Sequence, residues 1–273
     1  MSFWHLLIKN VWIRPDVFLL VKELMSEGAK KNRPHCHLAH LAKFSLILRS
    51  MIRLAILASA NGTNAQAIIE AVRDGKLDAD VKVVLTNKED AGVIERSRRL
   101  GVPVEIIPSK GHRNRAEYDA IVVEALRKYD VDTIALAGWM RILSEVFVNA
   151  FEGRILNLHP ALLPSFKGAT AIVDAFEHGV RITGCSVHLV TPELDAGPVI
   201  IQAGVPVNGT VDELEAQIHR MEHRIFPQAL QWFSEGRISV EGHKVIVAPA
   251  RHNVRKIDFI EGCLVSPALE EKL

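Results

Sequence analysis

The segment "MIRLAILASANGTNAQAIIEAVR", residues 51–73, indicates the fold class. It begins with an apolar run, Leu54 to Ala58, that is typical of a buried strand, continues through a turn that contains Gly62, and ends in an amphipathic helix. A strand, a short turn and a helix in this order form the repeating unit of a parallel α/β sheet. We therefore expect a doubly wound, mostly parallel sheet that is flanked by helices.

The alternation of strands and helices continues towards the C terminus. Strands are predicted in "VKVVLTN", "VPVEIIP", "VDTIALAG", "GRILNLHP", "ITGCSVHLV" and "GPVIIQAGVPV". Helices are predicted in "AGVIERSRRLG", in "RAEYDAIVVEALRKYD", at Glu145 to Ala150, and in "TVDELEAQIHRMEHRIFPQALQWFSEG" with Thr210 as its N-cap. The pattern divides the chain into an N-terminal extension without a sustained period (residues 1–50), an α/β domain (51–250) and a polar, irregular C-terminal tail (251–273).

Composition favours a globular protein of the cytoplasm. The 273 residues are 48% hydrophobic and 24% charged, and the formal net charge of +1 argues neither for a nucleic-acid surface nor for a membrane surface as a partner. The three cysteines, Cys36, Cys185 and Cys263, suggest no disulfide framework and fit a reducing compartment. No signal-peptide pattern or membrane-spanning run is recognised. We expect small-molecule substrates and a monomer or a homodimer.

Two polar residues interrupt the apolar strand in "GRILNLHPALLPSFKG", residues 153–168. Asn157 and His159 are two positions apart, so their side chains should leave the strand on the same side, and Pro160 should end it. Ligands of open α/β sheets bind beyond the carboxyl ends of the strands. The pair is therefore either a ligand-binding or catalytic pair, or a satisfied polar cap of a strand.

Two further segments follow predicted strands and could hold ligands. The helix start at Gly62, Thr63 and Asn64 offers unpaired N–H groups and a positive dipole end to a phosphate, although Thr63 or Asn64 could simply cap the helix. The loop in "LAGWMRILS", residues 136–144, is apolar with a single arginine and suits a flat aromatic ligand, although it could equally line the core.

An acidic residue lies in the turn "TPELDAGPVI" between two predicted strands. Asp195 in such a turn usually accepts hydrogen bonds from backbone N–H groups. If it instead faced His159, its carboxylate would favour the charged imidazolium.

Together these segments resemble the folate-dependent formyltransferase family. The resemblance rests on "SANGTN" (59–64), "AGWMRILS" (137–144), "NLHPALLPSFKG" (157–168), "ELDAGP" (193–198) and "MEHRIFP" (221–227), and it extends from Met51 to Pro249. The combination of Asn-x-His-Pro with Leu-Asp-x-Gly further along the chain is highly specific. The resemblance implies the formyltransferase fold for residues 51–250. It also implies transfer of a formyl group from 10-formyltetrahydrofolate to the amine of glycinamide ribonucleotide, as in de novo purine biosynthesis, without a metal.

The resemblance also implies roles for individual residues. Asn157, His159 and Asp195 match the catalytic residues of the family. The ribonucleotide-binding positions correspond to Gly62, Thr63, Asn64 and Glu222, and the folate-binding positions to Arg115, Met140, Arg141, Ile142, Leu143 and Asn157. Two positions depart from the common pattern, because Ala60 stands where relatives commonly have glycine and Thr170 where many have histidine. The first departure would make the phosphate loop less tight, and the second leaves no side-chain role to carry over.

Other functions are compatible with parts of this pattern. Formyltetrahydrofolate hydrolase uses the same three catalytic residues, but it lacks the Gly-Thr-Asn loop and normally has a second histidine where this chain has Pro160. Methionyl-tRNA formyltransferase would need an additional RNA-binding domain and a basic charge balance. A non-catalytic folate- or nucleotide-binding module is a third alternative.

The N-terminal extension contains a cluster of possible metal ligands in "RPHCHLAH": His35, Cys36, His37 and His40. Such spacing outside an ordered fold is weak evidence, and we predict no metal site. We expect residues 1–50 to be dispensable, with Met51 as a candidate natural start.

Overall fold

The computed structural model describes residues 51–112, 114–248 and 257–270. Within them the strands are β1 (Ile52–Leu57), β2 (Ala79–Thr86), β3 (Val104–Ile106), β4 (Thr133–Leu136), β5 (Ile155–His159), β6 (Ile182–Leu189), β7 (Val199–Pro206), β8 (Ile238–Glu241), β9 (Lys244–Val247), β10 (Asp258–Ile260) and β11 (Cys263–Ser266). The helices are α1 (Thr63–Arg73), α2 (Val93–Arg99), α3 (Arg115–Arg127), α4 (Glu145–Ala150), α5 (Ala171–His178) and α6 (Val211–Ser234).

Nine of these strands form one mixed sheet in the order β10-β11-β7-β6-β5-β4-β1-β2-β3. The pairs among β3, β2, β1, β4 and β5 are parallel, and the pairs from β5 to β10 are antiparallel. Because two successive antiparallel pairings restore the direction, β7 and β10 run the same way as the five parallel strands. Seven of the nine strands therefore share one direction, which confirms the mostly parallel sheet predicted from the sequence.

Alternating side chains of the central strand β1 pack into two hydrophobic layers. Leu54 and Ile56 join the cluster that contains residues of α1 and α6, whereas Ala55 and Leu57 join the cluster that contains residues of α3 and α4. All four side chains are fully buried. Each buried Leu or Ile contributes about 1.5–3 kcal/mol relative to exposure, so helices on both faces stabilise this strand.

The longest helix, α6, begins where the sequence predicts. The Thr210 hydroxyl accepts from the Glu213 N–H at 3.3 Å, and the Glu213 carboxylate accepts from the Thr210 N–H at 2.8 Å. This capping box satisfies two donors that would otherwise lack partners at the first turn.

The prediction of an irregular C-terminal tail is wrong for residues 258–266. Strands β10 and β11 extend the large sheet, since β11 pairs with β7, and Cys263 and Val265 are fully buried. Strands of three and four residues carry too little periodicity to be recognised locally, and their pairing with β7 stabilises them. Helix α5 and the β8–β9 hairpin are likewise absent from the sequence-based prediction.

The N-terminal extension at residues 1–50, with His35, Cys36, His37 and His40, lies outside the described residues. Among the helices of the described ranges, none combines the length and the apolar character that a membrane crossing requires.

Two glycines that face each other on β6 and β7 provide a test of this packing. A methyl group on Gly184 would overlap the carbonyl oxygen of Ala203, whereas one on its register partner Gly204 would make only ordinary contacts, at 3.7 Å, with Ile182 and Leu264. We expect Gly184→Ala to lower the free energy of unfolding by about 1–3 kcal/mol and Gly204→Ala to change it by less than about 0.5 kcal/mol.

Urea unfolding of the two variants measures this difference as a shift of the midpoint at constant slope. Equal midpoints for the two variants would contradict the close approach of β6 and β7 at Gly184.

Candidate active site

Asn157 and His159 lie at the carboxyl end of β5, on one face of the sheet. Their neighbours Leu156 and Leu158 belong to the hydrophobic cluster on the opposite face, as the alternation of a strand requires. His159 is 4% exposed, and Asn157 is half-buried. The two polar side chains therefore leave the strand together at the edge of the sheet where open α/β folds bind ligands.

The turn that joins β6 to β7 brings Asp195 to this pair. Its Oδ1 accepts a hydrogen bond from Asn157 Nδ2 at 3.4 Å, and its Oδ2 lies 3.6 Å from His159 Nδ1. Oδ2 also accepts from the backbone N–H of Gly168 at 3.1 Å. Asp195 has a φ of 47°, in the left-handed region that Asp tolerates better than most residues.

The sequence analysis missed His188 on β6, which belongs to the same cluster. His188 is the register partner of Asn157, its Nε2 lies 3.0 Å from Asn157 Nδ2, and the same Nε2 lies 3.7 Å from Asp195 Oδ1. Its Nδ1 donates to the carbonyl of Leu189 at 2.9 Å. The only signal in the sequence is a histidine inside the apolar strand "SVHLV", and its partner follows only from the pairing of β5 with β6.

Acceptor groups determine the direction of the hydrogen bonds around His159. Its Nε2 lies 2.8 Å from the carbonyl oxygen of Phe166, and a carbonyl can only accept, so Nε2 carries a proton. With Nδ1 facing the Asp195 carboxylate, both ring nitrogens point at acceptors. This arrangement accommodates the imidazolium form.

Several partners keep Asp195 ionised. Burial raises the pKa of its carboxyl, but the neighbouring His188 imidazole, the charge at His159 and the Gly168 N–H together hold this pKa below its ordinary value of 3.8. A lowered pKa means that the ionised carboxylate stabilises the folded chain above the ordinary pKa. This stabilisation is lost as the pH falls through the lowered value.

A second cluster of polar residues lies around the start of α1. Gly62 has a φ of 76° and precedes the helix, and no side chain caps the helix, so Thr63 and Asn64 do not act as its N-cap. Asn64 Nδ2 instead donates to Glu222 Oε2 at 2.8 Å across 158 positions of the chain. Asn64 Oδ1 is buried and has no hydrogen-bond partner within the described ranges. The first turn of α1 thus presents N–H groups and a polar side chain to an incoming ligand.

His219, which the sequence analysis also missed, supports Glu222 from one turn earlier on α6. Its Nδ1 lies 2.8 Å from Glu222 Oε2, and its Nε2 lies 3.3 Å from Glu215 Oε1. The hydrogen bond with Glu222 raises the pKa of His219 above 6.5, against the opposing effect of burial, and both carboxylates add to the increase. The spacing of three residues between His219 and Glu222 on a helix is the signal that could have identified the pair.

The loop from residue 137 to residue 144 connects β4 to α4 and leaves large apolar side chains in solvent. Met140 is 59% exposed and Ile142 is 49% exposed, while Leu143 packs against the core. The Arg141 guanidinium stacks on the ring of Tyr118 at 4.3 Å from its centroid. Arg115, the first residue of α3, is exposed one turn before Tyr118.

The structure clarifies the two departures from the common pattern. Ala60 is exposed and is not among the residues with positive φ, so alanine causes no backbone strain there. Thr170 precedes α5, and its hydroxyl donates to Asp174 at 2.8 Å. The described part of the chain contains no group of three or more His, Cys, Asp or Glu residues that could hold a metal ion.

Comparisons with known proteins identify the family of this chain. The profile of the family described as formyl transferase matches residues 52–230. The phosphoribosylglycinamide formyltransferase of Escherichia coli is 40% identical over 191 residues, which are 69% of this chain and 90% of that protein. The crystal structure of glycinamide ribonucleotide transformylase 1 from Symbiobacterium toebii has a TM-score of 0.72 and 44% identity, and the match covers 73% of this chain and 95% of that one.

The human trifunctional purine biosynthetic protein adenosine-3 is 41% identical over 190 residues, but this chain spans only 19% of its length. The similarity therefore concerns one part of that longer protein. With most of the chain matched by the family profile and nearly the full length of the E. coli enzyme covered, the protein belongs to the formyl transferase family.

Proposed function

We propose that this protein is a phosphoribosylglycinamide formyltransferase, which transfers the formyl group of 10-formyltetrahydrofolate to the amine of glycinamide ribonucleotide in purine biosynthesis. The observation that carries the proposal is the buried Asp195 carboxylate, which joins Asn157, His159 and His188 at the end of β5. The helix start at Gly62 and the loop 137–144 follow neighbouring strands of the same sheet. The names and lengths of the relatives support the same reaction.

The reaction requires donors for a developing negative charge. The glycinamide nitrogen attacks the formyl carbon, the carbonyl π electrons move onto the formyl oxygen, and the tetrahedral intermediate then releases N10 of the folate. Asn157 and a protonated His159 are the proposed donors to that oxygen, and preorganised donors of this kind stabilise the transition state by about 2.7–4 kcal/mol each.

The described hydrogen bonds indicate how these donors become available. The Asn157 amide shares its two hydrogens between His188 Nε2 at 3.0 Å and Asp195 Oδ1 at 3.4 Å. The longer bond is the weaker one, so its hydrogen is the one that turns to the formyl oxygen. His159 similarly redirects its Nε2–H from the Phe166 carbonyl, and hydrogen bonds in catalytic sites commonly tighten only when the substrate is bound.

Asp195 acts through charge and orientation. Its Oδ2 faces His159 Nδ1 and holds the ring as a cationic donor, while the Gly168 N–H fixes the carboxylate. The proton that the attacking amine must lose passes to the carboxylate, directly or through water, and from there to N10 of the leaving folate. No proton is gained or lost by the protein over one turnover.

The two substrates are assigned to the two flanking segments. The phosphate of the ribonucleotide binds the N–H groups of Gly62, Thr63 and Asn64, and Glu222 accepts a hydrogen bond from a ribose hydroxyl. The pteridine ring contacts the loop from Met140 to Leu143, whose exposed apolar side chains lose water on binding. Arg115 binds the carboxylate end of the folate.

Replacing Gly62 would not isolate phosphate binding. A Cβ there would overlap the side chain of Val93, and the positive φ adds strain for any other residue. Substitutions of Asn64, Glu222 or His219 are better probes of the ribonucleotide site.

The proposed partners are small molecules alone. We infer a cytoplasmic enzyme that acts as a monomer or a homodimer and binds no nucleic acid. Sedimentation at several protein concentrations distinguishes the two oligomeric states.

A competition assay separates the proposed reaction from its alternatives. We expect the purified protein to transfer the formyl group of 10-formyltetrahydrofolate to glycinamide ribonucleotide. It should release almost no formate, the product of transfer to water, and should form almost no formylated initiator tRNA. Mass spectrometry of the products measures each route. Formate release as the main reaction would identify a hydrolase, and binding without turnover would identify a binding module.

Asp195→Asn keeps the shape of the side chain but removes its charge. We expect kcat to fall by about two to three orders of magnitude, because the imidazolium donor is no longer stabilised, while the dissociation constants of both substrates change little. Steady-state kinetics and calorimetry measure the two quantities.

Glu193→Gln is the matched control for this variant. Glu193 lies in the same turn, but it is exposed, and among the described residues its carboxylate pairs only with Lys167, at 3.4 Å. We expect near-normal kcat from this variant. Near-normal turnover of Asp195→Asn as well would remove Asp195 from the mechanism.

His219 makes ribonucleotide binding depend on pH. Its raised pKa means that the ring is charged and supports Glu222 at low pH, and that this charge is lost as the pH rises through a value above 6.5. We expect the affinity for glycinamide ribonucleotide to fall by about fivefold across this window, corresponding to about 1 kcal/mol for one half-exposed hydrogen bond.

Calorimetric titrations between about pH 6 and pH 9 measure the effect, with the ordinary histidine pKa of about 6.5 as the reference. His219→Gln keeps a donor towards Glu222 without a titrating group, so its affinity should vary much less with pH. The same pH profile in both proteins would assign the dependence to another group.

A further inference from the structure

A buried pair of polar side chains outside the catalytic cluster links the ends of β1 and β2. Ser59 is 1% exposed and Asn87 is 6% exposed. The Ser59 hydroxyl donates to Asn87 Oδ1 at 2.6 Å, and Asn87 Nδ2 donates to the Ser109 hydroxyl at 3.0 Å. Buried polar groups of this kind are costly to leave unpaired, so the pair has a defined orientation.

This orientation fixes the loop assigned to the folate. Because the Ser59 proton points at Asn87, a lone pair of its oxygen is free to accept the N–H of Met140 at 2.9 Å. The backbone N–H of Ser59 donates to the carbonyl of Gly138 at 3.0 Å. Ser59 therefore holds two positions of the loop 137–144, immediately beside its exposed apolar side chains.

Ser59 is also the last buried residue before the segment assigned to the ribonucleotide. Residues 60–64 follow it directly, and the Ala60 carbonyl accepts from the Val93 N–H at 3.1 Å, which ties this segment to α2. One side chain thus contacts the folate loop while its own backbone leads into the phosphate loop.

We propose that Ser59, oriented by Asn87, is a positioning residue that couples ribonucleotide binding at residues 62–64 to folate binding at residues 140–143. The inference rests on the proposed function for the assignment of the two ligands. When the first ligand orders its loop, part of the entropic cost of ordering the second loop has already been met, so the second ligand binds more tightly. By linkage, each ligand raises the affinity of the other by the same factor.

The experiment measures this factor directly. Tetrahydrofolate carries no formyl group and cannot react, so its dissociation constant is determined by calorimetry with and without saturating glycinamide ribonucleotide. We expect the ribonucleotide to tighten tetrahydrofolate binding of the unaltered protein by roughly fivefold or more, within the usual range of coupling between sites.

Three variants distinguish positioning from general packing. Ser59→Ala leaves the Met140 N–H without its acceptor, and it should reduce the coupling factor towards one while the affinity for the ribonucleotide alone changes little. Asn87→Ala frees the hydroxyl to rotate and should cause a smaller loss. Ser97→Ala is the matched control, since Ser97 is also 1% exposed but its hydroxyl has no partner within the described ranges.

Retained coupling in Ser59→Ala, or an equal loss in Ser97→Ala, overturns the inference. If Ser59→Ala does not fold, amide hydrogen exchange of the unaltered protein decides instead, because the ribonucleotide should slow exchange at Met140. Unchanged exchange there overturns the inference as well. If the unaltered protein forms the product but shows no coupling between the two ligands, only this inference is overturned and the proposed function stands. A protein that binds both ligands without forming product contradicts the proposed function, and its coupling factor still decides the role of Ser59.

Discussion

The buried carboxylate of Asp195 is the constraint on which the arrangement of the site depends. A negative charge removed from water must be surrounded by donors or cations. Here Asn157, His159 and the Gly168 N–H supply them, and His188 holds Asn157 in place by accepting its second amide hydrogen. These partners come from two neighbouring strands and a separate loop. Satisfying one charge therefore fixes the relative positions of β5, β6 and the segment after Pro160.

The order of the strands in the sheet determines which segments lie next to Asp195. The parallel strands β1, β4 and β5 are neighbours, so the segments that follow them open at the same edge. The helix start at residues 62–64, the loop 137–144 and the pair of Asn157 and His159 are consequently adjacent, although the sequence separates them by tens of residues. The antiparallel pairing of β6 with β5 places His188 opposite Asn157, and the turn that follows β6 carries Asp195 to within 3.4 Å of Asn157 and 3.6 Å of His159.

Close approach of backbones maintains this geometry. A Cβ on Gly197, two residues after Asp195, would overlap the carbonyl oxygen of Leu189, and one on Gly184 would overlap that of Ala203. Glycine at these two positions lets the β6–β7 ribbon and its connecting turn close tightly. The left-handed conformation of Asp195 completes the turn and points the carboxylate at the two histidines.

The sequence by itself determined the fold class and the common side on which Asn157 and His159 leave their strand. Alternation along "GRILNLHP" is a local property of one strand, and it places Asn157 and His159 on one side before any partner is known. Only the tertiary structure decided that His188 joins them, because register between β5 and β6 is set by packing across the whole sheet. The same holds for Ser59, whose contact with the loop 137–144 depends on the pairing of β1 with β4. The strands β10 and β11 also escaped prediction, because segments of three and four residues become strands through the hydrogen bonds that a longer neighbour offers rather than through their own pattern.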